Sequence, residues 1–201
     1  DLWALPGVVN NRQEEYESVL NSYPPDIQQA GLPCGRSLRS RGTPFEVGSY
    51  VDEWGCEFDV AEPGVCGEVK NPPLTDWAAL ADWQPPWEML EEVDTGQVNR
   101  WHDETDRFLV LSCGIRPFER MQFLRGTENL FMDFAWQPQE LFQLRDMLHE
   151  YNLKSLRFAV ETDADGISFM DDWGTQRSLL ISPKLWESFF KPMYREYCEI
   201  I

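Results

Sequence analysis

Residues 165–174 read DGISFMDDWG. A short apolar run, Ile167 to Met170, ends in two adjacent carboxylates and then Trp-Gly. Like charges side by side repel, and an unpaired buried carboxylate is costly. A strand that ends this way aims its acids past the sheet. In open parallel sheets and in (β/α)8 barrels, pockets lie just beyond the carboxyl ends of the strands. The stretch therefore suits the exit of a parallel strand.

The flanking segments fit that setting. Upstream, QPQELFQLRDMLHEYNLKSLRFAVETDAD (137–165) predicts a long amphipathic helix starting near Pro138. Leu141, Leu144, Leu148, Tyr151 and Leu156 fall on one broad apolar face. Downstream, SPKLWESFFKPMYREY (182–197) opens a helix with Ser182 at the cap and Pro183 at its first position. RFLVLSC (107–113) is a second apolar strand, bounded by Gly114. PFERMQFLRG and TENLFMDFAW read as two helices, the second capped by Thr127 with Glu128 in its first turn. DTGQVNRWHDETD (94–106) precedes them as another helix. The order helix, strand, helices, strand, helix implies parallel strands with crossover helices, an α/β fold.

Residues before 94 are less regular. NPPLTDWAALADWQPPWEML (71–90) is proline-punctuated with short helical turns, one capped by Thr75 or Asp76. EVGSYVDEWG and GCEFDVAEPGVCGEV read as extended pieces around turns at Gly55 and Pro63-Gly64. Residues 1–44 read as an approach segment with a helical pattern at Tyr16, Val19 and Leu20, broken by YPPD. Residues 45–201 are then a partial barrel. A complete (β/α)8 barrel takes about 250 residues, and only three or four strands are visible. The chain opens at Asp1 rather than Met, and its last helix runs into Ile201. The expectation is an incomplete barrel, its amino-terminal portion.

Composition narrows the function. The chain has 201 residues, 42% hydrophobic, enough for one sizeable core. A net charge of −18, from 35 acids against 17 bases, argues against nucleic acid and anionic membrane surfaces. Arg36, Arg39 and Arg41 in CGRSLRSRG form the local basic cluster, read as a solvated loop. There is no apolar run of about 18 residues to span a membrane, and no secretory signal is visible. Five cysteines (34, 56, 66, 113 and 198) without a C-x-x-C fit reduced thiols in the cytoplasm, although Cys56 and Cys66 flank a hairpin and could pair.

Two acidic pairs precede Trp-Gly: Asp52 and Glu53 in VDEWG, Asp171 and Asp172 in MDDWG. An indole wall can raise a neighbouring carboxyl's pKa, and the glycine lets the chain turn away. A raised acid beside an ionised one suits general acid/base work or binding of a cationic intermediate. The plainer alternative is that each pair caps a turn or helix through backbone N–H groups. Of the nine tryptophans, Trp54 and Trp173 are the two expected in a pocket. His102 and His149 lack the i, i+4 pairing of a zinc helix, so these residues make no metal site by themselves.

At VDEWGCEFDVAEPGVCGEVKNPPLTD, GIRPFERMQFLRGTENLFMDF and DGISFMDDWGTQRSLLISPKLWESFFKPMY the chain resembles the uroporphyrinogen decarboxylase family, over roughly residues 45–195. The resemblance implies a (β/α)8 barrel. It also implies either porphyrin decarboxylation or methyl transfer to or from corrinoid proteins or thiols, often with zinc. By position, Asp52 falls where the decarboxylase has its catalytic Asp, Phe123 near an active-site Tyr, and Asp172 near a substrate-contacting Ser. The last two are departures, and the decarboxylase's amino-terminal arginine motif is absent. In the methyltransferase branch a His and cysteines of the carboxyl-terminal half hold zinc, which this chain does not reach.

Charge separates the branches. Uroporphyrinogen is a polycarboxylate that needs Arg or Lys around it, whereas the expected pocket gains Glu53, Asp171 and Asp172. A small methylated donor fits better, with Asp52, Asp171 and Asp172 orienting it or supplying a proton, and a corrinoid or thiol as acceptor. Decarboxylation stays open. So do a glycosidase using Asp172 with Asp52 about 5 to 9.5 Å apart, and a non-catalytic fragment completed by association with a second copy. The expected partners are a small-molecule substrate and a corrinoid protein. All the enzymatic readings place the acids before Trp54 and Trp173 in one cavity at the rim of a closed ring of strands.

Overall fold

The computed structural model describes residues 11–201. Residues 1–10 of the amino-terminal segment lie outside the described residues. Helix α1, Gln13–Ser22, buries none of its side chains, and Val19 and Leu20 of its expected apolar face are exposed. Strand β1, Ile27–Gly31, follows. It pairs in parallel with β5, Phe108–Ser112, and β5 pairs in parallel with the short β6, Gly166–Ser168. The sheet order is β1-β5-β6. The α/β fold with a parallel sheet is therefore present. The ring of strands expected from the sequence is not closed among the described residues, where three strands run parallel and three others form a separate sheet.

That second sheet is an antiparallel meander: β2, Gly48–Val51, β3, Glu57–Val60, and β4, Glu68–Asn71. Along it Cys56, Phe58 and Val60 are buried while Asp59 faces out, the period of two that a half-buried strand requires. Tyr50 stacks on Phe58 with ring centroids 4.8 Å apart. Two short 3₁₀ helices, Trp77–Ala81 and Trp87–Glu91, lead onward. Asp76 caps the first by accepting from the Ala78 N–H at 2.9 Å. Helix α2, Thr95–Asp103, is capped by Asp94, which accepts from the Gln97 N–H.

Between β5 and β6 run α3, Pro117–Arg125, α4, Thr127–Trp136, and α5, Gln139–Ala159. The expected apolar face of α5 is buried at all five positions. Thr127 does not cap α4. Gly126 does the turning at φ 83°, a conformation glycine adopts without strain, and Thr127 is already helical. Ser182 caps α6, Pro183–Leu185, which passes through a π-turn at Trp186–Phe190 into α7, Lys191–Ile200. The main core lies between the meander, α3 to α5 and the terminal helices. A smaller core of Val98, Leu109, Leu111 and Ala159 joins the parallel sheet to α2 and α5. All five cysteines are free thiols, Cys56 and Cys66 included. Among the described residues no helix is long and apolar enough to cross a membrane.

Candidate functional site at the rim of the parallel sheet

A cavity of about 290 Å³ opens just past the carboxyl ends of β1 and β5. Gly31 and Leu32 contribute from the first strand, and Ser112, Cys113 and Gly114 from the second. The Leu32 N–H donates to the Ser112 carbonyl at 3.0 Å, which holds the two strand exits together. Cys34 follows on the first exit. Glu53 and Trp54 close one side from the β2–β3 turn, and Tyr151 and Ser155 another from α5.

The turn is built by Asp52. One carboxylate oxygen accepts from the Trp54 and Cys56 N–H groups at 3.0 and 2.8 Å, and Gly55 takes φ 86° to complete the reversal. The other oxygen accepts from Arg120 Nη1 at 2.5 Å. Both partners are almost fully buried. The Arg120 guanidinium lies 4.8 Å from the Trp54 ring centroid, 5.5 Å from that of Phe123, and 3.6 Å from Glu53. Burial opposes the Arg120 charge, but Asp52, Cys56 and Glu53 more than offset it, so its pKa rises. Ser37 donates to the Glu53 carbonyl or to Glu88, and the Trp83 indole donates to the Trp54 carbonyl.

The groups that reach the cavity are mostly neutral. Burial raises the Cys113 thiol to about 12. Burial, reinforced by the Glu53 charge, raises Cys34. The Tyr151 phenol is raised by burial and then by Cys34, Glu53 and Glu88. Glu53 is the one acidic side chain of the lining, and no Lys, Arg or His belongs to it.

The second motif is placed elsewhere. Asp171 accepts from the Phe118 and Glu119 N–H groups, each at 2.8 Å, from the Asp172 N–H at 3.1 Å, and from the Tyr194 hydroxyl at 3.0 Å. It therefore caps the amino terminus of α3. Burial raises its pKa despite these bonds. Asp172 is exposed. Trp173 stacks on Phe118 at 4.9 Å and packs against Phe190.

The expectation of one shared cavity is thus corrected. Glu53 and Trp54 line it. Asp52 and Phe123 gather around Arg120, with Phe123 also edge-on to Phe58 at 5.3 Å. Asp171 and Trp173 belong to the helix cap, and Asp172 faces solvent. Asp171 turns inward because α3 has no side-chain cap of its own, and its bare N–H groups attract the carboxylate. The structure does not bring Asp52 and Asp172 together in this cavity as a glycosidase pair would require: one is held in a turn by three donors, the other is exposed and outside the lining. The two motifs do meet on α3, which Asp171 caps and whose Arg120 grips Asp52.

Sequence reading missed Cys34, Cys113, Tyr151 and Arg120. For Cys113 the position at the end of the apolar strand 107–113 was the available signal, whereas Cys34 follows a strand that only its pairing with β5 reveals. Among the described residues no group of three His, Cys, Asp or Glu side chains is placed to hold a metal ion. The residues present therefore do not fit a zinc site. His149 instead sits between Tyr197 and Glu196, at 3.2 Å from each.

The sequence profile described as uroporphyrinogen decarboxylase (URO-D) matches residues 43–201. Among solved structures, the fold is similar to a methyltransferase from Methanosarcina mazei, with a TM-score of 0.57 and 18% sequence identity over 74% of this chain. The chain spans 44% of the length of that methyltransferase. No curated protein sequence matches significantly.

Proposed function

Because the chain belongs to the uroporphyrinogen decarboxylase family, we propose that it forms the amino-terminal part of a (β/α)8 barrel enzyme whose rim cavity binds a small methylated donor. The methyl group passes to a corrinoid protein or a thiol. The observation that carries this reading is the charge of the cavity. Its lining holds Glu53 and no cation, while the nearby Arg120 is already paired with Asp52. A polycarboxylate placed there would bury its charges without partners, at a steep desolvation cost. A small neutral or cationic donor meets no such penalty.

In this reading Glu53 orients the donor through a hydrogen bond or charge pairing. Trp54 and the neutral thiols of Cys34 and Cys113 give the cavity apolar walls that exclude water. Asp52 and Arg120 hold the turn that presents Glu53. No step is assigned to zinc, since these residues do not hold it.

The test is to assay the full-length protein with zinc, a cob(I)alamin acceptor and a panel of methoxylated and N-methylated compounds. Methylcobalamin, followed by its absorbance, is the expected product with at least one donor. Glu53→Gln should lower kcat/KM by about 10-fold or more. No methylcobalamin with any donor, together with CO₂ release from uroporphyrinogen, would reverse the assignment in favour of decarboxylation.

A further inference from the structure

Four described tyrosines are more than nine-tenths buried or lie deep in aromatic packing, and three of them have a partner for the hydroxyl. Tyr197 meets Asn152 at 3.1 Å and His149 at 3.2 Å. Tyr194 donates to Asp171, and Tyr50 lies 3.8 Å from the Cys66 sulfur. Tyr151 is different. It is 8% exposed, and its hydroxyl makes no hydrogen bond with any described residue. The oxygen is not sealed in the core, because among the described residues the one enclosed polar side-chain atom without a partner is His102 Nδ1, so the Tyr151 hydroxyl opens on the space it lines.

The ring itself is well fixed. It packs edge-on to Trp54 with centroids 4.8 Å apart and against Trp87 at 5.4 Å. A phenylalanine would keep both ring contacts. Packing therefore accounts for the ring, while the hydroxyl, unpaired within the protein, is left available to whatever occupies the cavity. Tyr151 lines the rim cavity, and its phenol feels the charge of Glu53, which lines it together with Cys34.

We propose that the Tyr151 hydroxyl is a ligand-binding group of the rim cavity, donating a hydrogen bond to an oxygen or nitrogen lone pair of a small uncharged or cationic molecule. The proposal rests on the cavity being the substrate site. Burial and the neighbouring acids keep the phenol protonated well past neutral pH, so it serves as a donor there. Glu53, on the same lining, supplies the acceptor and disfavours an anionic ligand. Together they select a molecule with a lone pair at one end and a donor or positive charge at the other.

The experiment compares the full chain with Tyr151→Phe, titrated with 2-methoxyphenol and, as a cation without a lone pair, tetramethylammonium. Binding is followed by calorimetry and by tryptophan fluorescence, and stability by urea denaturation. Tyr151→Phe should weaken 2-methoxyphenol binding about threefold to tenfold, the value of one hydrogen bond. It should leave tetramethylammonium unaffected and stability unchanged or higher. Equal affinity of the two proteins for 2-methoxyphenol, failure of the unaltered chain to bind it, or a loss of stability in Tyr151→Phe would each overturn the proposal. Discrimination by Tyr151 without any methyl transfer would remove the methyl-transfer reading and leave the role of the hydroxyl standing.

Discussion

Asp52 and Arg120 show how one buried pair is made tolerable. Removing both charges from water is expensive, and their attraction repays it only where the remaining lone pairs and N–H groups are also satisfied. Here the second oxygen of Asp52 takes two backbone N–H groups, and the Arg120 plane lies on Trp54. Asp52→Ala should cost about 3–5 kcal/mol in urea denaturation, since it strands a buried guanidinium and opens the turn. A loss within experimental error would show that Glu53 replaces it. The cavity thiols make a second prediction. Thiolates, not thiols, react with alkylating agents. With Cys113 at about 12 and Cys34 also raised, iodoacetamide at neutral pH should label the exposed Cys66 and Cys198 first. Labelling of Cys113 should climb steadily with pH, as read by mass spectrometry. Early modification of Cys113 would contradict its half-buried, neutral setting.

Helix α3 is the element on which both acidic motifs converge. Arg116 precedes it without capping it, and Pro117 lacks an N–H, so Phe118 and Glu119 are left needing acceptors. Asp171, arriving from the end of β6, supplies both oxygens. Its carboxyl pKa is raised in the folded protein, so the folded state holds its proton to higher pH than the unfolded chain does. The contribution of this group to stability is therefore present below the ordinary carboxylate range and is lost as pH rises through the raised value. Asp171→Asn cannot titrate. Denaturation of both proteins across the acid range should thus show the stability difference shifting toward the unaltered protein as pH falls. A difference that grows toward neutral pH instead would mean the cap's hydrogen bonds outweigh its burial.

For the molecule as a whole, the boundary of the amino-terminal segment matters. The family profile begins at residue 43, yet β1 at residues 27–31 is hydrogen-bonded along the full length of β5 and forms one wall of the cavity. Deleting residues 1–44 would expose the edge of β5 and remove Gly31, Leu32 and Cys34 from the lining. The truncated chain should lose its cooperative thermal transition and aggregate, as followed by circular dichroism and size-exclusion chromatography. A truncated monomer of unchanged Tm would show the segment to be a detachable approach arm.

The order of the helices, β5, β6 and the meander was legible because periodicity and turn residues are local properties. Leu141 to Leu156 mark one helical face, and Asp76 and Ser182 mark caps. Strand β1 was not legible: IQQAG puts two glutamines where an apolar alternation would be, and only its pairing with β5 makes it a strand. The sequence by itself determined the family, the acidity of the chain and the two carboxylate pairs before Trp-Gly. Which carboxylate lines the rim cavity was decided by tertiary structure alone. Asp52 is bound by an arginine 68 residues away and Asp171 by backbone N–H groups 53 and 52 residues away. A carboxylate goes to the strongest unsatisfied donor within reach, and local sequence does not say which donor the fold will bring.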